Sequence, residues 1–381
     1  MHPHSSSTSS SEADAPRERR RRWATLLWAL LWLIVLDVGA SLAFAFPADV
    51  KNVNPGKLQL FFDYGRSMEA RVRRMTRADP NQTAPITLAG WYSPLKAVER
   101  PAQPGAVPIT VYGMSHAVRL ADALHSEFPN YAVRTVAGPG ATTNWSFGAF
   151  RRDTGNRASK VVVLAIMSST LPEITSMTPM TWNVSFPLAY TQDRYFIDGA
   201  GKLQVVTPPY ESFADYTATL NDPQKWAAAV AKFQRYDPFY DPLMFRATPL
   251  DHSTLVRLAR RAWINKRDRE TASDVLTAKS FNPDSEAVKV ANAIIAEFAA
   301  TARRNGQLPV IYIVNNYGYG NQLFRALRMT IQRDRIPYLS SDTVVDPNNP
   351  ANYLPDTHFT DENDRRLAQA LDRVIADNLA R

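Results

Sequence analysis

Residues 107–136 read VPITVYGMSHAVRLADALHSEFPNYAVRTV, and the fold depends on how this stretch is parsed. Residues 107–112 form an apolar β-type run, residues 115–128 read as a helix, and residues 131–136 return to a short strand. Strand, helix, strand is a βαβ unit. Residues 161–167 are an unbroken apolar run of the kind that suits a parallel strand buried on both faces. Further on, the alternation continues with a helix over 285–305, a strand over 308–314, a helix over 321–333, a short strand over 337–340 and a closing helix over 361–380. Five strands with intervening helices predict an α/β fold, a doubly wound (flavodoxin-like) five-stranded parallel sheet, in a domain running from 107 to 381.

Between strands three and four, residues 170–280 break this rhythm. They are rich in Pro and aromatic residues, with a hairpin expected around Asp198-Gly199-Ala200-Gly201 and helical stretches over 224–234 and 254–268. They read as a large insertion after strand three. Upstream, residues 47–106 form a lead-in with one amphipathic stretch over 58–74, where Leu60, Phe61, Tyr64, Met68 and Val72 recur at helical spacing. No internal repeat is visible.

The N-terminus sets the compartment. Residues 1–16 are rich in Ser and Pro, and Arg17 to Arg22 form a basic run broken by Glu18, so residues 1–22 read as a disordered basic tail. From 23 to 46 the only ionisable residue is Asp37, and about 20 apolar residues suffice to cross a bilayer. This predicts a single-pass transmembrane anchor at the cell membrane. The Arg cluster puts the N-terminus in the cytoplasm and the domain after Pro47 in the periplasm or outside the cell. A cleaved signal peptide is the competing reading, with 23–36 as its apolar region and Ala43-Phe44-Ala45 as the small-x-small site. Either way the domain is exported; the retained anchor is preferred because the apolar stretch continues past Asp37.

Composition excludes several function classes. At 381 residues, 45% hydrophobic and 21% charged, the chain can bury one large core with an appended subdomain. The net charge is +8, but the Arg residues are scattered and form no stripe between aromatics, so nucleic-acid binding is not expected. An anionic polysaccharide, a membrane surface or plain solvation satisfies the same charge. With no Cys there is no disulfide, thiolate or Cys-ligated metal, and the six His include no pair at helical metal-ligand spacing. No cofactor or metal is expected.

In open α/β sheets, ligands sit outside the carboxyl ends of the strands. After the first strand comes Gly113-Met114-Ser115-His116, where Gly makes the tight turn and Ser115 opens a helix whose amides and dipole suit an oxyanion. Ser115 is the candidate nucleophile, although an isolated Gly-x-Ser is more often a plain helix cap. After the fifth strand, Asp356-Thr357-His358 precedes the last helix. In an extended segment residues i and i+2 point the same way. Asp356 can then orient the imidazole through Nδ1, leaving Nε2 to take the hydroxyl proton. A loop His beside a capping Asp is the plainer alternative.

The order of these blocks resembles the SGNH/GDSL hydrolases, over about 107–148 and from 309 to the end. Gly113-Met114-Ser115 corresponds to that family's Gly-Asp-Ser, with Met in place of Asp. Gly138-Pro139-Gly140-Ala141 looks like the second block, which implies Gly140 as an oxyanion amide. The third block's Asn is replaced by Ser168-Ser169-Thr170, and Asn144 is the substitute side-chain donor, with an Asx turn as the other reading. The last block is Asp-x-His, similar to the Asp-Thr-His of SGNH-like proteins of alginate-type O-acetylation, where it precedes the Ser.

The resemblance implies a serine esterase or O-acetyltransferase acting on acyl esters of an exopolysaccharide or cell-envelope glycan. Its triad is Ser115, His358 and Asp356, its oxyanion hole Ser115, Gly140 and Asn144, and its neighbours are the membrane and polysaccharide-assembly proteins. A second class of reading is an inactive SGNH-fold scaffold, favoured by Met114 and the missing Asn. A third is a glycan-binding module using Trp182, Tyr190, Tyr195 and Tyr210. His116 reads as a surface helix residue, and His125 and His252 have no identifiable partner. Asn315, Asn316, Gly318 and Gly320 line a cleft or form a turn. Arg257, Arg260 and Arg261 read as a basic face toward an acidic polymer, or as a solvated one.

Overall fold

Six strands form the central sheet of the computed structural model, which describes residues 15–47, 53–78, 90–137, 140–184, 188–277 and 280–380. The strands are β1 (Val98–Glu99), β2 (Val107–Gly113), β3 (Tyr131–Ala137), β4 (Val161–Met167), a separate hairpin β5 (Arg194–Ile197) and β6 (Leu203–Val206), then β7 (Leu308–Val314) and β8 (Tyr338–Ser340). The helices are α1 (Ala15–Ala43), α2 (Lys57–Asp63), α3 (Met68–Ala78), α4 (Ser115–Glu127), α5 (Thr143–Arg152), α6 (Phe213–Asn221), α7 (Pro223–Tyr236), α8 (Pro242–Phe245), α9 (Thr254–Val275), α10 (Glu286–Arg304), α11 (Gln322–Arg333) and α12 (Asp361–Leu379).

The sheet order is β1-β3-β2-β4-β7-β8. Its parallel members therefore run second, first, third, fourth, fifth, a doubly wound order with the switch point between β2 and β4. The sixth strand corrects the expected count of five. Val98–Glu99 pairs antiparallel with β3, and two exposed residues are too few to leave a periodic signal. So short an edge strand also blunts the sheet's open edge. Inside, register stacks like on like: Ile109 lies opposite Val133 on one side and Val161 on the other, and Val163 opposite Val310. β4 is buried at every position but the last, as a strand covered on both faces must be.

Helices α4 and α12 cover one face of the sheet, packing on Ile109, Val111, Val133, Val163 and Tyr312. On the other face α5, α10 and α11 pack on Tyr112, Val162, Leu164 and Ile311. The long β4–β7 connection carries the hairpin, α6 to α9 and the crossover helix α10, and its aromatic residues join this second core. Tyr190, Tyr195 and Tyr210 are at most 3% exposed, so these three offer no surface to a glycan, and of the four residues of the binding-module reading Trp182 alone is partly exposed. Their burial is tied down by polar groups: Arg152 grips Asp193 with both guanidinium arms at 2.6 and 2.8 Å, and Asp237 accepts from Met177 N at 2.7 Å and Thr181 Oγ1 at 2.9 Å.

Two further expectations are corrected. The stretch over 58–74 is two helices, because Asp251, from the distant β4–β7 connection, takes both the N–H and the Oγ of Ser67 at 2.7 Å and draws the chain out between α2 and α3. At the N-terminus, α1 reaches back to Ala15 and takes in Arg17 to Arg22, expected in the disordered tail. Arg is a good helix former, and extending an existing helix costs little. Residues 1–14 of that tail lie outside the described residues.

Candidate active site

The turn from β2 into α4 is made by Gly113 and Met114. A Cβ on residue 113 would come within 2.6 Å of Ala117 Cβ and 2.7 Å of Ala165 Cβ, so only glycine lets the strand turn this tightly against β4. Met114 caps α4: its carbonyl accepts the N–H of Ala117 at 2.9 Å and of Val118 at 3.1 Å. The amides of Ser115 and His116 precede this ladder at the positive end of the helix dipole.

The other limb comes from the loop before α12. Leu354 N donates to His358 O at 2.7 Å and Thr357 N to Leu354 O at 2.9 Å, which closes a tight turn with Thr357 at φ 70°. The expected extended segment is therefore corrected. A non-glycine residue at left-handed φ costs about 1–2 kcal/mol. In return, the turn lets one carboxylate hold both ends of His358: Asp356 Oδ1 accepts its backbone N–H at 3.2 Å, and Oδ2 lies 3.0 Å from its Nδ1. The hydrogen bond from the His358 side chain lowers the Asp356 pKa, so this exposed carboxyl stays ionised.

α4 and α12 pack side by side with their N-termini on the same carboxyl rim, which brings the two limbs together. His358 Nε2 lies 2.7 Å from Ser115 Oγ, across 243 positions of sequence. The cluster is open: Ser115 is exposed, and the side chains of His358 and Asp356 are 22% and 66% exposed.

Two residues beside this pair carry weight that the sequence reading did not give them. His116, expected on the surface, is 4% exposed, with its ring centroid 4.7 Å from that of His358 and 5.4 Å from that of Phe359. Burial, and then the neighbouring His358, hold its pKa down to about 4, so it packs behind His358 as a neutral ring. Arg119, one turn beyond Ser115, reaches across to α12: Nε donates to Asp364 Oδ2 at 2.7 Å, and Nη2 to Asp361 Oδ1 at 2.6 Å and to Phe359 O at 3.1 Å. It thus grips the residue next to His358. Burial pushes the Asp364 carboxyl up to about 6 against the pull of Arg119. The available signal was an Arg four residues after the candidate nucleophile and three acids, Asp361, Glu362 and Asp364, in the first turn of the last helix.

The remaining candidates divide. Gly140 follows β3 at φ 65°, and because Gly113 and Ala137 are in register its turn leaves the sheet on the same rim as Ser115. Gly138 and Pro139 of that block lie outside the described residues. Asn144 is a correction. It is fully buried, and its amide donates to Ser176 O and Asp193 O, both at 2.9 Å, which uses both hydrogens. Asn315 and Asn316 are also buried: Asn315 Nδ2 donates to Asp342 Oδ1 at 2.8 Å, and Asn316 Oδ1 accepts from Ser169 N at 3.1 Å, stitching β4, β7 and β8 at their ends. Arg257 and Arg260 are 5% and 2% exposed, directed at Asp251, and form no basic face toward a polymer.

No family model and no curated protein matches the chain. Among solved structures it is similar to one described as a "putative acylhydrolase" from Bacteroides fragilis NCTC 9343, at 12% identity with a TM-score of 0.33, covering 74% of this chain and 91% of that one. Similarity at that level carries no argument about this chain, and function has to be argued from its own residues.

Proposed function

We propose that this protein is a membrane-anchored, extracytoplasmic serine esterase or O-acyltransferase of the SGNH/GDSL type, acting on acyl esters, acetyl esters in first place, of an exopolysaccharide or cell-envelope glycan. The observation that carries the reading is the 2.7 Å contact between His358 Nε2 and Ser115 Oγ, with Asp356 on the opposite ring nitrogen. Ser115, His358 and Asp356 then act as a triad. Nε2 takes the Oγ proton as Oγ bonds to the acyl carbon, and the carbonyl π pair moves onto oxygen, held by the amides of Ser115 and Gly140. When the tetrahedral intermediate collapses, the sugar oxygen leaves with the proton from His358. Water or a second sugar hydroxyl, deprotonated by the same imidazole, releases the acyl group and restores Ser115.

An open rim suits a polymer that slides past better than a small ligand that must be enclosed. The N-terminal helix, whose apolar stretch over 23–36 is exposed throughout, supports the anchor. One observation favours an inactive scaffold, namely that the amide of Asn144 is committed elsewhere and is no third oxyanion donor. The same experiment separates the two. Hydrolysis of a chromogenic acetyl ester by the full chain is expected, with loss in Ser115→Ala and labelling of Ser115 by a fluorophosphonate. Equal rates in both proteins, or no turnover and no labelling in either, sink the enzyme reading.

A further inference from the structure

Helix α9 is built inside out. Its inward positions hold Thr254, Arg257, Arg260 and Ile264, each at most 5% exposed. Arg260 pairs with the Asp251 carboxylate, and Arg257 Nε donates to Asp251 O at 2.7 Å. Its outward positions hold Leu255 and Leu258, 41% and 37% exposed, with exposed Ala259 and Ala262 completing an i, i+3, i+4, i+7 stripe. A helix facing water carries the opposite pattern. Leu250, in the turn leading into α9, is 57% exposed and extends the apolar surface.

The apolar helix α1 ends at this surface. Ser41 Oγ donates to His252 O at 3.0 Å and lies 2.7 Å from Thr254 Oγ1. Asp37 Oδ1 accepts the N–H of Leu255 at 2.8 Å. The one ionisable residue within 23–46 thus satisfies an orphan amide in the first turn of α9. These contacts fix the depth of the domain. Only residues 23–36, 14 in number, remain clear of it. At ~1.5 Å per residue they span about 21 Å, some 9 Å short of a hydrocarbon core of about 30 Å.

We infer that the domain is seated on the bilayer, with the outward face of α9 and Leu250 sunk into the head-group and acyl boundary beside the anchor. Interfacial helices lie roughly 5–10 Å deep, which matches the shortfall. Further along α9, exposed Lys266 and Arg269 are placed to reach lipid phosphates. This rests on α1 being retained as an anchor and is independent of the esterase chemistry.

Because the chain has no Cys, single labels are specific. The full chain is reconstituted in vesicles of phosphatidylethanolamine and phosphatidylglycerol, with a fluorophore on Leu30→Cys, Leu258→Cys or Met329→Cys; Met329, on α11, is 69% exposed. Nitroxide-bearing lipids should quench the first two, and aqueous iodide the third. In Leu258→Cys combined with Asp37→Ala, lipid quenching should be lost and iodide quenching gained. If residue 258 behaves like 329 while 30 stays in lipid, the inference fails and the anchor stands. An aqueous label at 30 overturns both. A label at 258 shielded from iodide yet untouched by lipid nitroxides means that a second copy or another protein covers the face, and this too overturns the inference.

Discussion

Asp193 and Asp356 belong to clusters of similar composition, one inside the β4–β7 connection and the other on the carboxyl rim. Asp193 is 1% exposed, takes both arms of Arg152 and also accepts from Tyr195 Oη at 3.0 Å, while its carbonyl accepts from Asn144. Asp356 has a side chain 66% exposed and holds His358, which in turn presents Nε2 to an exposed hydroxyl. In the first cluster the polar groups are spent on one another, so removing one leaves buried charge uncompensated. In the second, a hydroxyl and an imidazole face solvent, and under the proposed function their removal costs chemistry with little effect on the fold. Polar composition does not separate the two; what does is where the remaining valences point.

Substitution of one member of each cluster should therefore split activity from stability. Ser115→Ala should lower kcat for the acetyl ester ~10⁴-fold, equivalent to about 5.5 kcal/mol on the barrier, and leave the denaturation midpoint in place. Asp193→Ala should cost about 3 kcal/mol of stability, because Arg152 keeps Glu211 at 2.7 Å but loses its bidentate partner. Its folded fraction should retain kcat. The contrast breaks if Ser115→Ala shifts the urea midpoint or Asp193→Ala leaves it unmoved.

That difference also explains what could be read from the sequence. The five parallel strands were legible because β2, β4 and β7 are apolar runs separated by stretches of helical pattern. The pairing of Ser115 with Asp356 and His358 was legible because strand order places both on the carboxyl rim. Asn144 was misread: position and residue type suggest a donor at the rim, whereas its partners, Ser176 O and Asp193 O, come from the connection, whose packing leaves no local pattern. Val98–Glu99 was too short to register, and the buried Arg257 and Arg260 looked like surface charge because Asp251, their counterpart, lies outside the helix.

Acid pH tests the rim at a finer level. His116 has its folded pKa depressed from 6.5 to about 4, so the fold favours the neutral ring. The stability it lends is complete above pH 6.5 and is lost as pH falls through 6.5 toward about 4, on the order of 3 kcal/mol at most. Asp237 and Asp364, raised to about 6, act with the opposite sign, favouring the fold as pH drops from 6 to 3.8. The slope of the native protein mixes these contributions with those of carboxylates held low, such as Asp63 and Asp251, so the informative quantity is the difference from His116→Phe. That variant should be relatively more stable at pH 4.5 than at pH 7; an unchanged difference means that His116 is not buried as a neutral ring.

Arg119 gives the smallest effect and the sharpest test, because it contacts neither the hydroxyl of Ser115 nor the carboxylate of Asp356 in the proposed triad. Its guanidinium joins α4 to Asp361, Asp364 and the carbonyl of Phe359, so it acts on the register between Ser115 and His358. Partly exposed, its ion pairs contribute little to stability. A base displaced by a fraction of an ångström nevertheless costs rate, since proton transfer depends on hydrogen-bond reach. Arg119→Gln is expected to lower kcat about 10-fold, or about 1.4 kcal/mol, with KM unchanged. Arg119→Lys should recover only part of this, because one ammonium cannot replace a planar fork that bonds two carboxylates and a carbonyl at once. If kcat and KM move together, or if lysine restores the full rate, Arg119 serves the surface charge of α4 and the two limbs find each other without it.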